Sequence, residues 1–189
     1  MRFQCIDDVN HRLEKVLCLV RDDMPAIVPY LNDVRGIETL SREDKEDGRV
    51  QLVSLWRGSP DRAPAVVQKF LSDDLLSWKD HALWYPSGPA RAEWRLEPKI
   101  GGTLFDCTGT TALLEPEPGK TQIKIHGDLK IYPEKVPGVP RILAGRLRTK
   151  IEAFVVEMIV PNLQTMARGV QNYFDDKQSG RLEQVEPDC

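Results

Sequence analysis

Asp80 lies in the run Trp78-Lys79-Asp80-His81-Ala82-Leu83-Trp84. In an extended chain, residues two and four apart share one face, so this spacing sets a carboxylate among tryptophans. A carboxyl group in such surroundings loses hydration, keeps its proton to higher pH, and can act as an acid or anchor a ligand. Two plainer readings stand beside this one. A bulge could turn Asp80 outward, or the residue could lie near an open, solvated end of its strand. If the parity were reversed, Arg57, Arg91 and Arg95 would be its candidate partners. Catalysis in the same place would need further polar groups, such as Ser54 or Thr111, to converge on it.

The remaining reactive residue types are scattered. His126 shares the polar side of its strand, His81 has the opposite parity from the tryptophans, and His11 stands alone. His126 and His81 read as surface residues. No Ser-His-Asp or Cys-His arrangement follows from spacing, so no catalytic residue is named. Cys5, Cys18, Cys107 and Cys189 show no metal-ligand or redox spacing, and no metal site is expected. Gly101-Gly102 reads as a turn, because no Gly-x-Gly-x-x-Gly pattern leads from a strand into a helix. No cofactor is expected. Arg141, Arg146, Arg148 and Lys150 gather at the start of a long helical segment. They could meet an anionic headgroup at a membrane surface, but such a run more often forms a solvated face.

The elements that must hold these residues can be read from periodicity. Residues 2–9 alternate as a strand, and Leu13, Val16, Leu17 and Val20 have helical spacing. Met24 opens a second short helix that Pro29 ends. Val34–Arg42 and Arg49–Arg57 flank a charged hairpin with Asp47-Gly48 at its tip. Residues 58–74 are irregular. Extended runs follow over Leu75–Tyr85, Ala90–Glu97, Thr103–Leu114 and Thr121–Ile131, each closed by proline or glycine turns. In the last of these, Ile123, Ile125, Leu129 and Ile131 face one way and Gln122, Lys124, His126, Asp128 and Lys130 the other. That is one buried and one wet face of an antiparallel strand. From Pro140 to about Asp176 an apolar stripe predicts a long helix, with a kink at Pro161.

Composition bounds the function. The chain has 189 residues, with 26 Lys+Arg against 29 Asp+Glu and a net charge of −3. This balance argues against a nucleic-acid binder that works through a basic field. A hydrophobic fraction of 41% with 29% charged residues is that of a globular protein. The first residues meet charge before any apolar signal region, and Ala153–Val160 is interrupted by Glu157 and is too short to span a bilayer. The chain reads as a cytoplasmic protein, with one domain over residues 1–176 and a polar tail over 177–189. Its oligomeric state is not legible.

Strand, two short helices, some six or seven antiparallel strands and a long C-terminal helix form an order that resembles the START-like superfamily, also called SRPBCC or helix-grip. The resemblance implies an α+β fold in which a curved antiparallel sheet wraps the long helix around a cavity for apolar ligands. Members bind lipids, sterols, quinones or polyketides, a minority catalyse cyclisation or dehydration, and others bind protein partners. Projected onto the concave face, the apolar parity gathers Trp56, Trp78, Asp80, Trp84, Trp94, Phe105 and Ile125, with Phe154 and Met158 approaching from the helix. These are the candidate ligand-binding residues. An aromatic-lined pocket of a few hundred Å³ is the expectation, and an ordinary filled core is the other reading. The function so implied is binding or transport of an apolar or amphipathic, lipid-like small molecule. The alternatives are a polyketide cyclase or dehydratase using the same cavity, and a protein-interaction module.

Overall fold

Alternation is cleanest in β7 (Lys120–Ile131), where Thr121, Ile123, Ile125 and Leu129 are buried while His126, Asp128 and Lys130 are exposed. A strand with one apolar face must be covered on that face only, and the neighbours of β7 repeat the pattern. The structure, a computed structural model, describes residues 1–60, 72–85, 89–99, 104–132, 135 and 141–182. In the long helix it describes the side chains of 149, 150, 153, 155–157 and 159–182.

The chain order is β1 (Arg2–Val9), α1 (Leu13–Asp22), a 3₁₀ helix (Met24–Tyr30), β2 (Val34–Asp44), β3 (Val50–Gly58), β4 (Ser77–Tyr85), β5 (Arg91–Pro98), β6 (Phe105–Glu117), β7 and α2 (Arg141–Gln178). The strands form a seven-stranded sheet in the order β1-β7-β6-β5-β4-β3-β2. Every adjacent pair is antiparallel. Apart from β1, each strand lies beside its neighbour in sequence. The first strand instead crosses to pair with the last.

This is the helix-grip α+β architecture. Some details depart from the sequence expectations. The second short helix is 3₁₀ rather than α: Pro29 in its interior has no N–H to give to the Pro25 carbonyl, as an α-helical ladder would require, while Pro25 sits in the first turn, where no ladder donor is used. β6 continues beyond Leu114 to Glu117, because a register shift between those residues takes up Pro116 where its missing N–H breaks no ladder bond. The turn then closes at Gly119, whose φ of 82° suits glycine. α2 stays one continuous helix through Pro161, and the Thr165 hydroxyl donates to the Pro161 carbonyl at 2.7 Å.

α2 lays Val155, Ile159, Met166, Val170 and Phe174 into the core. Its contacts run mainly to β1, β7, the 3₁₀ helix and α1. The roof over the β3–β5 part of the sheet is therefore shared between α2, α1 and the start of the 3₁₀ helix. The irregular insert expected at 58–74 falls largely outside the described residues, as does the tail from 183 onward.

Candidate functional site

The register of the sheet lines its inner face with rows of side chains. One row runs Leu129, Cys107, Leu96, Asp80, Ser54 and Thr39 from β7 to β2. The next runs Phe3, Gly127, Gly109, Trp94, Ala82 and Leu52. β4 carries no register shift through Asp80, so the carboxylate does lie on the tryptophan face rather than turning out at a bulge.

Glycine shapes the second row. A Cβ at Gly109 would collide with the Trp94 ring and the His126 carbonyl oxygen, and one at Gly127 would collide with the Phe3 ring. Both rings therefore reach over glycine backbone, which neither could do over a larger residue. Trp94 is fixed further by its Nε1–H, which donates to Thr111 Oγ1 at 3.1 Å.

A void remains between β3–β5 and the roof of α1 and α2. It is about 60 Å³ in volume and is bordered by Trp56, Asp80, Trp84 and Trp94 on the sheet and by Met24, Leu163 and Met166 on the roof. Ser54 and Thr111 border it too, so the polar groups whose convergence an enzyme would need do meet there. The space accommodates about four waters. The expected pocket of a few hundred Å³ is thus not what these residues enclose. On the inner face, Trp94 and Phe3 reach over Gly109 and Gly127, which strand parity alone cannot foresee.

Two buried atoms on this void have no hydrogen bond: Asp80 Oδ1 and Trp56 Nε1. Burial pushes the Asp80 carboxyl up from 3.8 to about 7, because the charged form has lost its water. Arg21 also borders the void, but its guanidinium is engaged by Asp22 at 2.8 and 2.7 Å. The cations considered as alternative partners are elsewhere. Arg57 pairs with Glu38, Arg95 with Glu97, and Arg91 lies over the Tyr85 ring.

The other candidate residues distribute as follows. Trp78 is buried and stacks on Trp56 with ring centroids 6.0 Å apart. Phe105 and Ile125 are buried in the core and do not border the void. Phe154 and Met158 belong to α2, and their side chains lie outside the described residues. Arg21, Met24 and Leu163 border the void without having been anticipated. Their helical spacing marks an apolar face but does not say which strands that face will cover.

His126 is exposed, and His81 lies on the outer face with Nε2 3.1 Å from Glu97. His11 stacks on Phe174 with ring centroids 4.0 Å apart, and its loss of hydration lowers its pKa. Among the described residues, no group of three His, Cys, Asp or Glu could hold a metal. None of the described helices is long and apolar enough to cross a membrane. Of the basic cluster at the start of α2, Lys150 is exposed, and the side chains of Arg141, Arg146 and Arg148 lie outside the described residues. A larger trough of about 520 Å³ crosses the opposite face of the sheet near Arg2, Gln4, Thr108 and His126. It is open to solvent, and Asp80 is not among the residues that border it.

No family model matches the chain, and no curated protein does. Among solved structures, it is similar to the Zhui aromatase/cyclase from Streptomyces sp. R1128, with a TM-score of 0.62 and 13% identity over 94% of this chain and 95% of that one. It is also similar to Ara h 8.0201, with a TM-score of 0.52 and 11% identity over 92% of this chain and 96% of that one. At such identities the likeness is one of fold. It agrees with the START-like, SRPBCC architecture that the order of elements implied.

Proposed function

We propose that this chain binds or carries an apolar or amphipathic, lipid-like small molecule in the void between β3–β5 and α2. One observation supports this above the others: an aromatic-walled void is bordered by two buried polar atoms that have no partner within the protein. Buried polar groups are nearly always hydrogen-bonded, so atoms left unmet around a void are places for a ligand or water. The enclosed volume is small, but Met24 and Met166 form part of its roof. Methionine is unbranched and flexible, and it can repack to admit a larger guest.

A second reading has its own support. A carboxyl that titrates near 7 is matched to proton transfer at neutral pH. One similar fold belongs to an aromatase/cyclase. An enzyme of cyclase or dehydratase type would use Asp80 as its acid or base, with Ser54 and Thr111 as polar neighbours. The protein-interaction alternative has less support. The exposed large apolar residues Met1 and Ile6 lie at the β1 edge and Leu40 at the β2 edge, too far apart across the sheet to form one patch.

The test is native mass spectrometry of the protein purified from its own host, followed by organic extraction of what is released. A stoichiometric apolar compound is the expected result and gives its chemical class. An apo mass, together with no binding of added hydrophobic probes and no chemical turnover, would sink both small-molecule readings.

A further inference from the structure

β2 is an edge strand, and its second half, Glu38–Asp44, is exposed and has β3 on one side only. A register shift between Thr39 and Ser41 marks a bulge, where a strand bends. Beyond it, Ser41–Asp44 pair with Val50–Val53 as the outer arm of a hairpin. This arm flanks the void. Arg42 stands opposite Leu52, and Asp44 opposite Val50, which pairs in turn with Trp84. Thr39, Leu52 and Trp84 border the void from this side, and Val20, Arg21 and Met24 border it from α1 and the start of the 3₁₀ helix. Of the residues that border it, Thr39 alone is exposed, so the rim of the void lies at β2.

Charge bridges the gap across this rim. α1 packs on β6, β7, the 3₁₀ helix and α2, while β2 packs on β3 and the 3₁₀ helix. Among the described residues, no packing of that extent joins α1 to β2. Arg42 joins them. Its Nη1 donates to Asp22 Oδ1 at the end of α1, at 2.5 Å, and its Nε and Nη2 donate to Asp44 at 3.0 and 2.9 Å. Asp22 also accepts from Arg21 at 2.8 and 2.7 Å. The Asp22 side chain is only 11% exposed, so salt screens its bonds less than those of an open surface pair. Burial acts to raise its carboxyl, but the two arginines outweigh burial and hold it below its ordinary value.

We propose that the outer arm of the β2–β3 hairpin is a flap over the void, hinged at the Thr39–Ser41 bulge and latched to α1 by Arg42. While Arg42 grips Asp22, the void is shut. When the grip is released, the arm swings at the bulge and opens a path between Thr39 and Leu52 on one side and Val20 and Arg21 on the other. The network suits reversible release. Asp22 keeps Arg21 and Arg42 keeps Asp44, so opening breaks one ion pair and leaves neither end as a bare, half-buried charge. The flap adds a route to the site and rests, for what enters, on the void being a binding site.

The Trp56 Nε1–H reports opening without any ligand, because it is buried on the void and has no hydrogen-bond partner. The ¹⁵N-labelled full chain is transferred to D₂O and exchange of the indole N–H is followed, with Trp56 assigned by Trp56→Phe. Arg42→Gln removes the charged grip and is expected to speed this exchange about tenfold, in line with one hydrogen bond between charged groups. The Ile125 amide in β7 should not respond. Asp44→Asn removes the partner that Arg42 keeps when the flap is open, so it should slow the exchange. A plain stabilising role for the network predicts the opposite sign. Equal exchange in wild type and Arg42→Gln would overturn the latch, as would equal acceleration at Trp56 and Ile125, the mark of lost global stability. Dissolved xenon, a single apolar atom, then probes entry by ¹²⁹Xe exchange NMR. In Arg42→Gln its entry and exit rates should rise together with affinity unchanged. If xenon binds and these rates do not respond, the latch falls and the binding site stands. If the Trp56 exchange responds as expected and xenon finds no site, the latch stands and the binding-site reading falls.

Discussion

Along β1, β7 and β6 the inner face of the sheet is closed: Phe3 lies over Gly127, Trp94 reaches from β5 over Gly109, and Ile123, Ile125 and Leu129 are sealed beneath α2. Along β2, β3 and β4 the same face stays incomplete. The row that begins with Leu129, Cys107 and Leu96 ends with Asp80, Ser54 and Thr39. Parity is identical in the two regions, and the packing differs. In one, glycine gives its volume to a neighbouring ring and no space survives. In the other, a carboxyl stands where an apolar side chain would fill the gap. The contrast separates a part of the core that is filled from a part that leaves a void.

Four measurements would break or sharpen this contrast. The largest effect is expected from Asp80. Its folded pKa of about 7 exceeds the ordinary 3.8, so the folded state holds more protons between those values. Stability contributed by the neutral acid is complete below pH 4 and is lost as pH rises to 7, by up to about 4 kcal/mol. Urea denaturation of wild type and Asp80→Asn across this range should show the difference. Parallel curves would mean that Asp80 is hydrated and the void open.

Next is Gly109→Ala, whose new Cβ meets both a carbonyl oxygen and the Trp94 ring. A loss of about 3 kcal/mol is expected, at the upper end for overpacking. Gly127→Ala meets only the Phe3 side chain, which can swing, and should cost about 1–2 kcal/mol. Equal costs would show that the closed region is more compliant than its contacts suggest.

Met166→Ala should cost about 2 kcal/mol, the low end for a buried methionine, because it enlarges a space that already exists. The same change should strengthen ethylbenzene binding, read by ligand-detected NMR. The smallest effect is expected from Arg49→Ala, which breaks the exposed pair with Asp47 at the β2–β3 hairpin, outside both regions. It should stay within about 0.5 kcal/mol in thermal denaturation, the usual worth of a surface ion pair.

Much of the architecture is legible in the residues themselves. The period-two alternation over Ile123–Ile131 fixes which face of β7 is buried, and antiparallel pairing carries that parity across the sheet. All four tryptophans accordingly lie on the inner face, and Asp80 lies with them. What parity cannot give is depth. Whether a tryptophan ring can extend over the neighbouring strand depends on Gly109, a residue on that strand. The same limit explains the roof. The apolar stripe on α2 announces a core helix, but does not say that its contacts run mainly to β1, β7, the 3₁₀ helix and α1. The 3₁₀ form of the second short helix was within reach, since Pro29 removes an α-helical donor.

The crossing of β1 to β7 also governs how the chain is made. Val9 finds its partner in Thr121 and Arg2 in Asp128. At translation rates of about 5–20 residues per second, β1 waits on the order of ten seconds after it leaves the ribosome before β7 follows. The hairpins from β2 to β6 can form meanwhile, each from strands adjacent in sequence. β1 must stay unpaired throughout, and its arrival closes a loop spanning most of the chain. Chaperone capture of nascent chains should therefore continue until β7 has emerged, and stop there.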